Sequence, residues 1–235
     1  MHSSPPPVRH EPDAVNRVQR IAYRASYEPA VLHAILDSAY VCHVAFIDAG
    51  EPQIIPMSYW RDGEFVYFHS AARGRFARAC RDAPVAISVT VMDGLVLGHS
   101  PINHSINYRS VVIHGRPEAI DDRLAKTAAM RSFFDKTIPG RWDDLRAVRD
   151  DEIDALTVFR IRLEQASAKI RNEFPDSEDH MPTSPVWTGT VPLQSVFLEP
   201  VADPRFEAQQ TPQYLASFEG KPEFRDRVDL ANNPR

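Results

Sequence analysis

His69 and Ser70 are followed closely by Arg73, Gly74 and Arg75. An imidazole, a hydroxyl and two guanidinium groups thus fall where a strand gives way to a short helix. Arginine forks match the oxygens of phosphate, and helix N-termini attract anions, so the stretch reads as an anion cradle. Alone, His69-Ser70 would equally cap a turn through local hydrogen bonds, and the arginines would form a solvated helix face. Together the residues favour an anion. A second stretch, Pro56-Met57-Ser58-Tyr59-Trp60, sets a proline inside a strand pattern. Proline donates nothing to a ladder, so it marks an edge or an irregularity where a flat heterocycle could meet free backbone groups. An ordinary edge strand guarded by proline accounts for the same residues.

Other chemistries lack their signatures. Cys42, His43, His69, His99, His104 and His114 show no zinc-finger or HExxH spacing, so no metal site is expected. His114 reads as a barrel residue, His99 and His104 as surface loop residues. One histidine as a haem ligand stays open. There is no GxSxG, no Walker motif and no GxGxxG. The acidic pairs Asp121-Asp122, Asp143-Asp144 and Asp150-Asp151 read as caps and solvated loops.

The elements that must hold the first two stretches follow from local patterns. Strands over Ile54–Arg61 and Glu64–Ser70 flank Asp62-Gly63, a hairpin signal that places positive φ at both central residues. A short helix over Gly74–Asp82 ends near Pro84. Upstream, a helix over Glu28–Ala39 carries Pro29 in its first turn. Strands are expected over Val41–Asp48 and Val85–Met92, with Asp93-Gly94 introducing Leu95–Gly98. Further strands cover Tyr108–Ile120 and Leu156–Leu163. A helix capped by Asp121 runs to about Lys136, with Leu124, Ala128, Met130 and Phe134 on its apolar stripe, and Pro139-Gly140 ends it. Residues 142–154 read as a loop or short helix. Val85–Val91 is apolar on one face and small or polar on the other, while Ser110–His114 looks covered on both faces, for instance by a second subunit.

The 235 residues, 43% hydrophobic and 25% charged, suit one domain with attached arms. A net charge of −5 argues against nucleic acid as a partner. Two cysteines make no disulfide framework, no apolar run reaches a membrane span, and the N-terminus lacks a secretory h-region. A soluble, cytoplasmic protein is expected. Residues 1–22 read as a mobile or surface-draped arm, 23–193 as the domain, and 194–235 as an extension over the domain or a partner. Short strands with few helices predict a mainly β barrel with peripheral helices.

The segments IIPMSYW, FVYFHSAARGRFARACRDAPVAISV, NYRSVVIHGRPEAI, LEQASAKIRNE and VWTGTVPL stand in an order that resembles the pyridoxamine 5′-phosphate oxidase-like FMN-binding split barrels. The branch that includes nitroimidazole-resistance proteins is the most similar. The resemblance implies a six-stranded split β-barrel, a homodimer and FMN at its interface. It sets Pro56, Met57, Ser58 and Tyr59 along the flavin ring, and Phe68, His69 and Ser70 near the phosphate with Arg73 and Arg75. Ser110 and Lys169 would approach the cofactor, and Trp187 the ring from the other subunit. It implies an oxidoreductase of a small molecule, with NAD(P)H as a candidate donor and Tyr59, His69 and Trp187 as candidate substrate contacts. The substrate arginine motif of the pyridoxamine phosphate oxidases proper is missing. A haem-binding or haem-degrading split barrel and a non-enzymatic flavin carrier are the alternatives.

Overall fold

Strand alternation sorts the residues of this chain into two faces. The computed structural model describes residues 12–81, 83–176, 185–206, 210–216 and 218. Within them ten strands pair antiparallel: β1 (Ala25–Ser26), β2 (Val41–Asp48), β3 (Glu51–Asp62), β4 (Phe65–Ala71), β5 (Val85–Leu97), β6 (Ser105–Gly115), β7 (Glu118–Ile120), β8 (Leu156–Arg162), β9 (Gln165–Arg171) and β10 (Gly189–Pro192). Their order is β1-β9-β6-β5-β2-β3-β4-β8-β7, with β10 added on β5. The fold is the expected mainly β split barrel with peripheral helices, built from more strands than six. β3 joins its halves. It pairs with β2 from Glu51 to Ser58 and with β4 only from Tyr59 to Asp62.

The inward residues form one core. Cys42, Val44 and Phe46 of β2, Ile87 and Val89 of β5, and Val111 and Ile113 of β6 are buried, while their neighbours face out. Helix α1 (Pro29–Leu36) adds Leu32, Ile35 and Leu36, and helix α2 (Arg75–Cys80) adds Phe76, Ala77 and Cys80. Phe68 stacks on Phe159 at 5.5 Å, and Phe76 meets both edge-on. Each such ring removes a large apolar area from water, which is why the barrel needs no staple.

Helix α3 (Arg123–Thr137) covers the other face of the β3–β4–β8 half. Its Ala129, Met130 and Phe133 pack on Trp60, Tyr67 and Val158. The expected stripe is rotated: Leu124 points to solvent, and buried Lys126 gives its ammonium to the Leu156 carbonyl at 2.9 Å. The cap is Asp122, whose Oδ1 accepts the Ala125 N–H, whereas Asp121 pairs with Arg81.

Tertiary contacts revised other boundaries. Asp62 pairs with Phe65, so Gly63 and Glu64 are the central turn residues, and only Gly63 takes a positive φ, +57°. Asp93-Gly94 is no turn. β5 runs through it with a bulge, because β10 lies so close that a Cβ on Gly94 would meet the Val191 carbonyl at 2.6 Å. The strand expected over 108–120 breaks at Arg116-Pro117, and β7 crosses to pair with β8. The segment expected over 142–154 as a loop or short helix forms two short helices, Arg141–Asp144 and Asp150–Asp154.

The N-terminal arm is docked from Asp13 onward. Buried Asn16 donates to the Ala166 carbonyl at 3.2 Å, and Gln165 donates to Asp13 at 2.7 Å. The C-terminal extension lies on its own domain: Phe197 meets Tyr40 edge-on at 5.8 Å, and Tyr214 bonds Arg141 and Asp144. Residues 1–11 of the first arm, and 207–209, 217 and 219–235 of the second, lie outside the described residues.

Candidate functional site

The alternation of β3 and β4 divides the residues singled out from the sequence. Pro56 and Ser58 face out and are exposed, while Met57 packs against the core. Tyr59 is buried, and its hydroxyl donates to the Leu36 carbonyl at 2.5 Å. Burial raises that phenol well above its usual pKa. Its side chain is a core element with no surface for a substrate, which corrects the expected contact. Phe68 is likewise a core ring. His69 and Ser70, adjacent in sequence, project to opposite faces of β4.

Two of these carry a signal of their own. His69 is half-buried, and burial holds its imidazole below the usual pKa. Neither of its ring nitrogens has a hydrogen-bond partner among the described residues. Ser70 presents a buried hydroxyl with no partner there either. Native folds seldom leave a buried hydroxyl like that of Ser70 unsatisfied away from functional sites. The thiols offer no such chemistry, since burial pushes Cys42 and Cys80 up to about 12.

The arginines are less free than an anion cradle requires. Arg75 is exposed but sits 3.3 Å from Asp48 and 3.4 Å from Gln53, at the end of the β2–β3 hairpin. Helix α2 has six residues, and the Gly74 N–H bonds the Ala71 carbonyl at 2.9 Å. An anion there would take Arg75 from Asp48 and gain little from the helix. Arg73 is exposed.

Ser110 and Lys169 are register partners on β6 and β9, and Thr90 of β5 is opposite Ser110. Ser110 donates to the Lys169 carbonyl at 3.2 Å, and the Lys169 ammonium to the Arg20 carbonyl at 3.1 Å. The adjacent row across the sheet reads Ser167, Val112, Ser88, His43 and Pro56. Reading motifs one at a time missed this row; its visible signal was the small-or-polar alternation in Val85–Val91. The face is shallow, because serine, threonine and alanine leave the backbone near the surface. It is bordered by Val41, Ile47 and Ile54, the last 64% exposed. Trp187 is exposed just before β10. Among the described residues no strand pairs with the β4 side of β3 between Glu51 and Ser58, so Pro56 lies on a free edge there.

A mainly β split barrel with peripheral helices and an open, part-apolar outer face is the class that the fold defines. Residues 28–170 match the pyridoxamine 5′-phosphate oxidase family, and the chain belongs to it. The flavocytochrome Anf3 from Azotobacter vinelandii is 33% identical, with a TM-score of 0.85 over 88% of this chain and 98% of that one. An FAD and haem binding protein from Mycobacterium smegmatis is 28% identical, with a TM-score of 0.81 over 86% of this chain and 100% of that one. A Bacteroides thetaiotaomicron protein assigned to 5-nitroimidazole antibiotic resistance shares the fold at 22% identity, with a TM-score of 0.54 over 62% of this chain and 86% of that one. No curated protein matches the chain. Among the described residues no helix is long and apolar enough to cross a membrane, and no group of three metal-ligating side chains occurs.

Proposed function

We propose that the chain is a homodimeric redox protein that binds a flavin and a haem on the open face of its barrel. The observation that carries this reading is the likeness to a flavocytochrome over 88% of the chain, well beyond residues 28–170. The description of the second neighbour favours FAD over the FMN that the sequence resemblance implied.

The residues present fit both groups. A haem iron takes a neutral imidazole with a free ring nitrogen. Burial keeps His69 neutral near pH 7, and its nitrogens are unengaged among the described residues. Arg73 and Lys169, and Arg75 once exchanged from Asp48, supply positive charge for phosphates or propionates. The free edge of β3 offers backbone groups to the rim of a heterocycle, and Ser88, Thr90 and Ser110 let its plane lie close. Ile54, Val41 and a partner subunit would exclude water from it. When bound, the flavin accepts electrons in pairs or singly and the haem passes them singly. Donation by NAD(P)H, a small-molecule acceptor and a cytoplasmic location belong to the same reading, and two free buried cysteines suit a reducing compartment.

The test is the absorption spectrum of freshly purified protein, followed by chromatography of the released flavin. Flavin bands with a Soret band, and FAD on release, are expected. Protein that stays colourless after incubation with both cofactors would overturn the reading. Flavin that no pyridine nucleotide reduces anaerobically would turn it towards a carrier.

A further inference from the structure

The half of the sheet that α3 covers carries a cleft that the proposed site does not use. Along α3, Ala125, Ala128, Ala129 and Ser132 recur at helical spacing, and all of them line an open cleft of about 450 Å³. Side chains this small leave a trough beside the sheet where leucine or phenylalanine would close it. The other wall follows a row across the strands: Tyr67 of β4 is opposite Arg160 of β8, and Arg160 is opposite Glu118 of β7, with Ile120 two residues further on. A concave, part-apolar space of this size is where small ligands bind. Charge stands at its two ends. Asp121 and Asp122 sit at the α3 N-terminus, and at the far end Asp62 accepts the Ser132 hydroxyl at 2.8 Å. The helix rises about 15 Å from Asp122 to Ser132. Between the ends, Glu118 accepts from Arg160 at 2.8 Å, and Arg160 also donates to the Tyr67 hydroxyl. The lining thus sets four carboxylates against one guanidinium, a balance that repels anions. Arg81 partners Asp121, the Ala125 N–H partners Asp122, and Ser132 partners Asp62. A carboxylate accepts up to about four hydrogen bonds, so each has capacity for a further donor. All four acids are exposed residues, so a cation can reach them without losing all its water.

We propose that this cleft binds a linear polyamine. Its methylene chain lies over Tyr67, Ile120 and the alanines, and its terminal ammonium groups reach Asp121 and Asp122 at one end and Asp62 at the other. A secondary ammonium between them meets Glu118. Acids held apart by an apolar floor are what select this class. A metal ion or a single ammonium engages one end only, and a compact aromatic cation brings no second charge for the other. The cleft uses none of the residues assigned to flavin or haem, so this inference stands or falls apart from that reading. Trp60 offers a signal for occupancy, because it stacks on Tyr67 at 5.4 Å and shares an apolar cluster with Ile120 and Ala129.

The experiment titrates the full-length protein with spermine in low-salt buffer by calorimetry, with tryptophan fluorescence recorded alongside. One spermine per chain and a change in fluorescence are expected, with n-butylamine binding far more weakly. Asp62→Asn and Asp122→Asn act on opposite ends, and the second keeps the helix cap because asparagine caps as aspartate does. Each should weaken spermine roughly tenfold, the scale of one charge-assisted hydrogen bond. Ala128→Leu closes the trough without touching a charge and should abolish binding. Asp203→Asn, at an acid of the C-terminal extension outside the cleft, should leave the affinity unchanged. If Ala128→Leu fails to fold, the two asparagine variants decide. Affinity that neither of them lowers, or n-butylamine bound as tightly as spermine, would reveal diffuse attraction to an acidic surface and overturn the proposal. Spermine that gives no heat and no fluorescence change would overturn it too. Tetralysine bound where spermine is not would replace it with a docking site for a basic protein segment.

Discussion

The outward side of β3 has two fates along one strand. Past Tyr59 it is roofed: Trp60 stacks on Tyr67, and α3 lays Ala129, Met130 and Phe133 over them. Before Tyr59 it is bare, and Ile54, Pro56 and Ser58 meet solvent together with His43 and Ile47 of β2. Among the described residues a helix covers one half and none covers the other. Apolar surface that a fold leaves uncovered beside small polar side chains is surface kept for something else. The roofed half should therefore carry stability, and the bare half assembly and cofactor.

That division can be broken experimentally. Trp60→Ala empties the roofed half and should cost about 3–5 kcal/mol in urea unfolding; a loss under about 1 kcal/mol would show that α3 contributes little there. Ile54→Asp places a charge on the bare half. It should change monomer stability by no more than about 0.5 kcal/mol yet turn a dimer into a monomer in sedimentation. A dimer that persists would remove this face from the interface. Arg75→Ala should leave the barrel folded and weaken flavin retention roughly tenfold, the scale of one charge-assisted hydrogen bond of about 1.5–3 kcal/mol. Unchanged affinity would move the phosphate site elsewhere.

The smallest effect concerns acid. His69 resists protonation in the fold, so below about pH 6.5 the unfolded chain binds the proton first and stability falls as pH drops. That loss levels off below the depressed folded value. Apo-protein carrying His69→Gln should show a shallower decline between about pH 7 and 5, measured by thermal unfolding. An identical slope would mean that His69 protonates as freely folded as unfolded.

Much of this fold was legible where local rules act alone. Pro29 at the start of α1, the hairpin around Gly63 and the alternation in Val85–Val91 each express a short-range preference. β9 escaped because Gln165–Arg171 has no strong strand pattern. Its Ala166, Ser167 and Ala168 become a strand between β1 and β6, where small residues pack closely. Gly94 read as a turn because no local signal announces β10 crossing above it. The site was half legible for the same reason. Residue types proposed Pro56, His69, Ser110 and Lys169, which do share the outer face. Sequence adjacency also enlisted Tyr59 and Phe68, which the pleat turns inward, and it could not foresee Asp48 beside Arg75.

Wild-type protein and His69→Ala, purified in parallel and compared by absorption spectroscopy, test the central claim most directly. The wild type should show flavin bands and a Soret band, and the variant should keep the flavin while losing the Soret band. Equal Soret bands in both, or a wild type that binds neither cofactor, would contradict it.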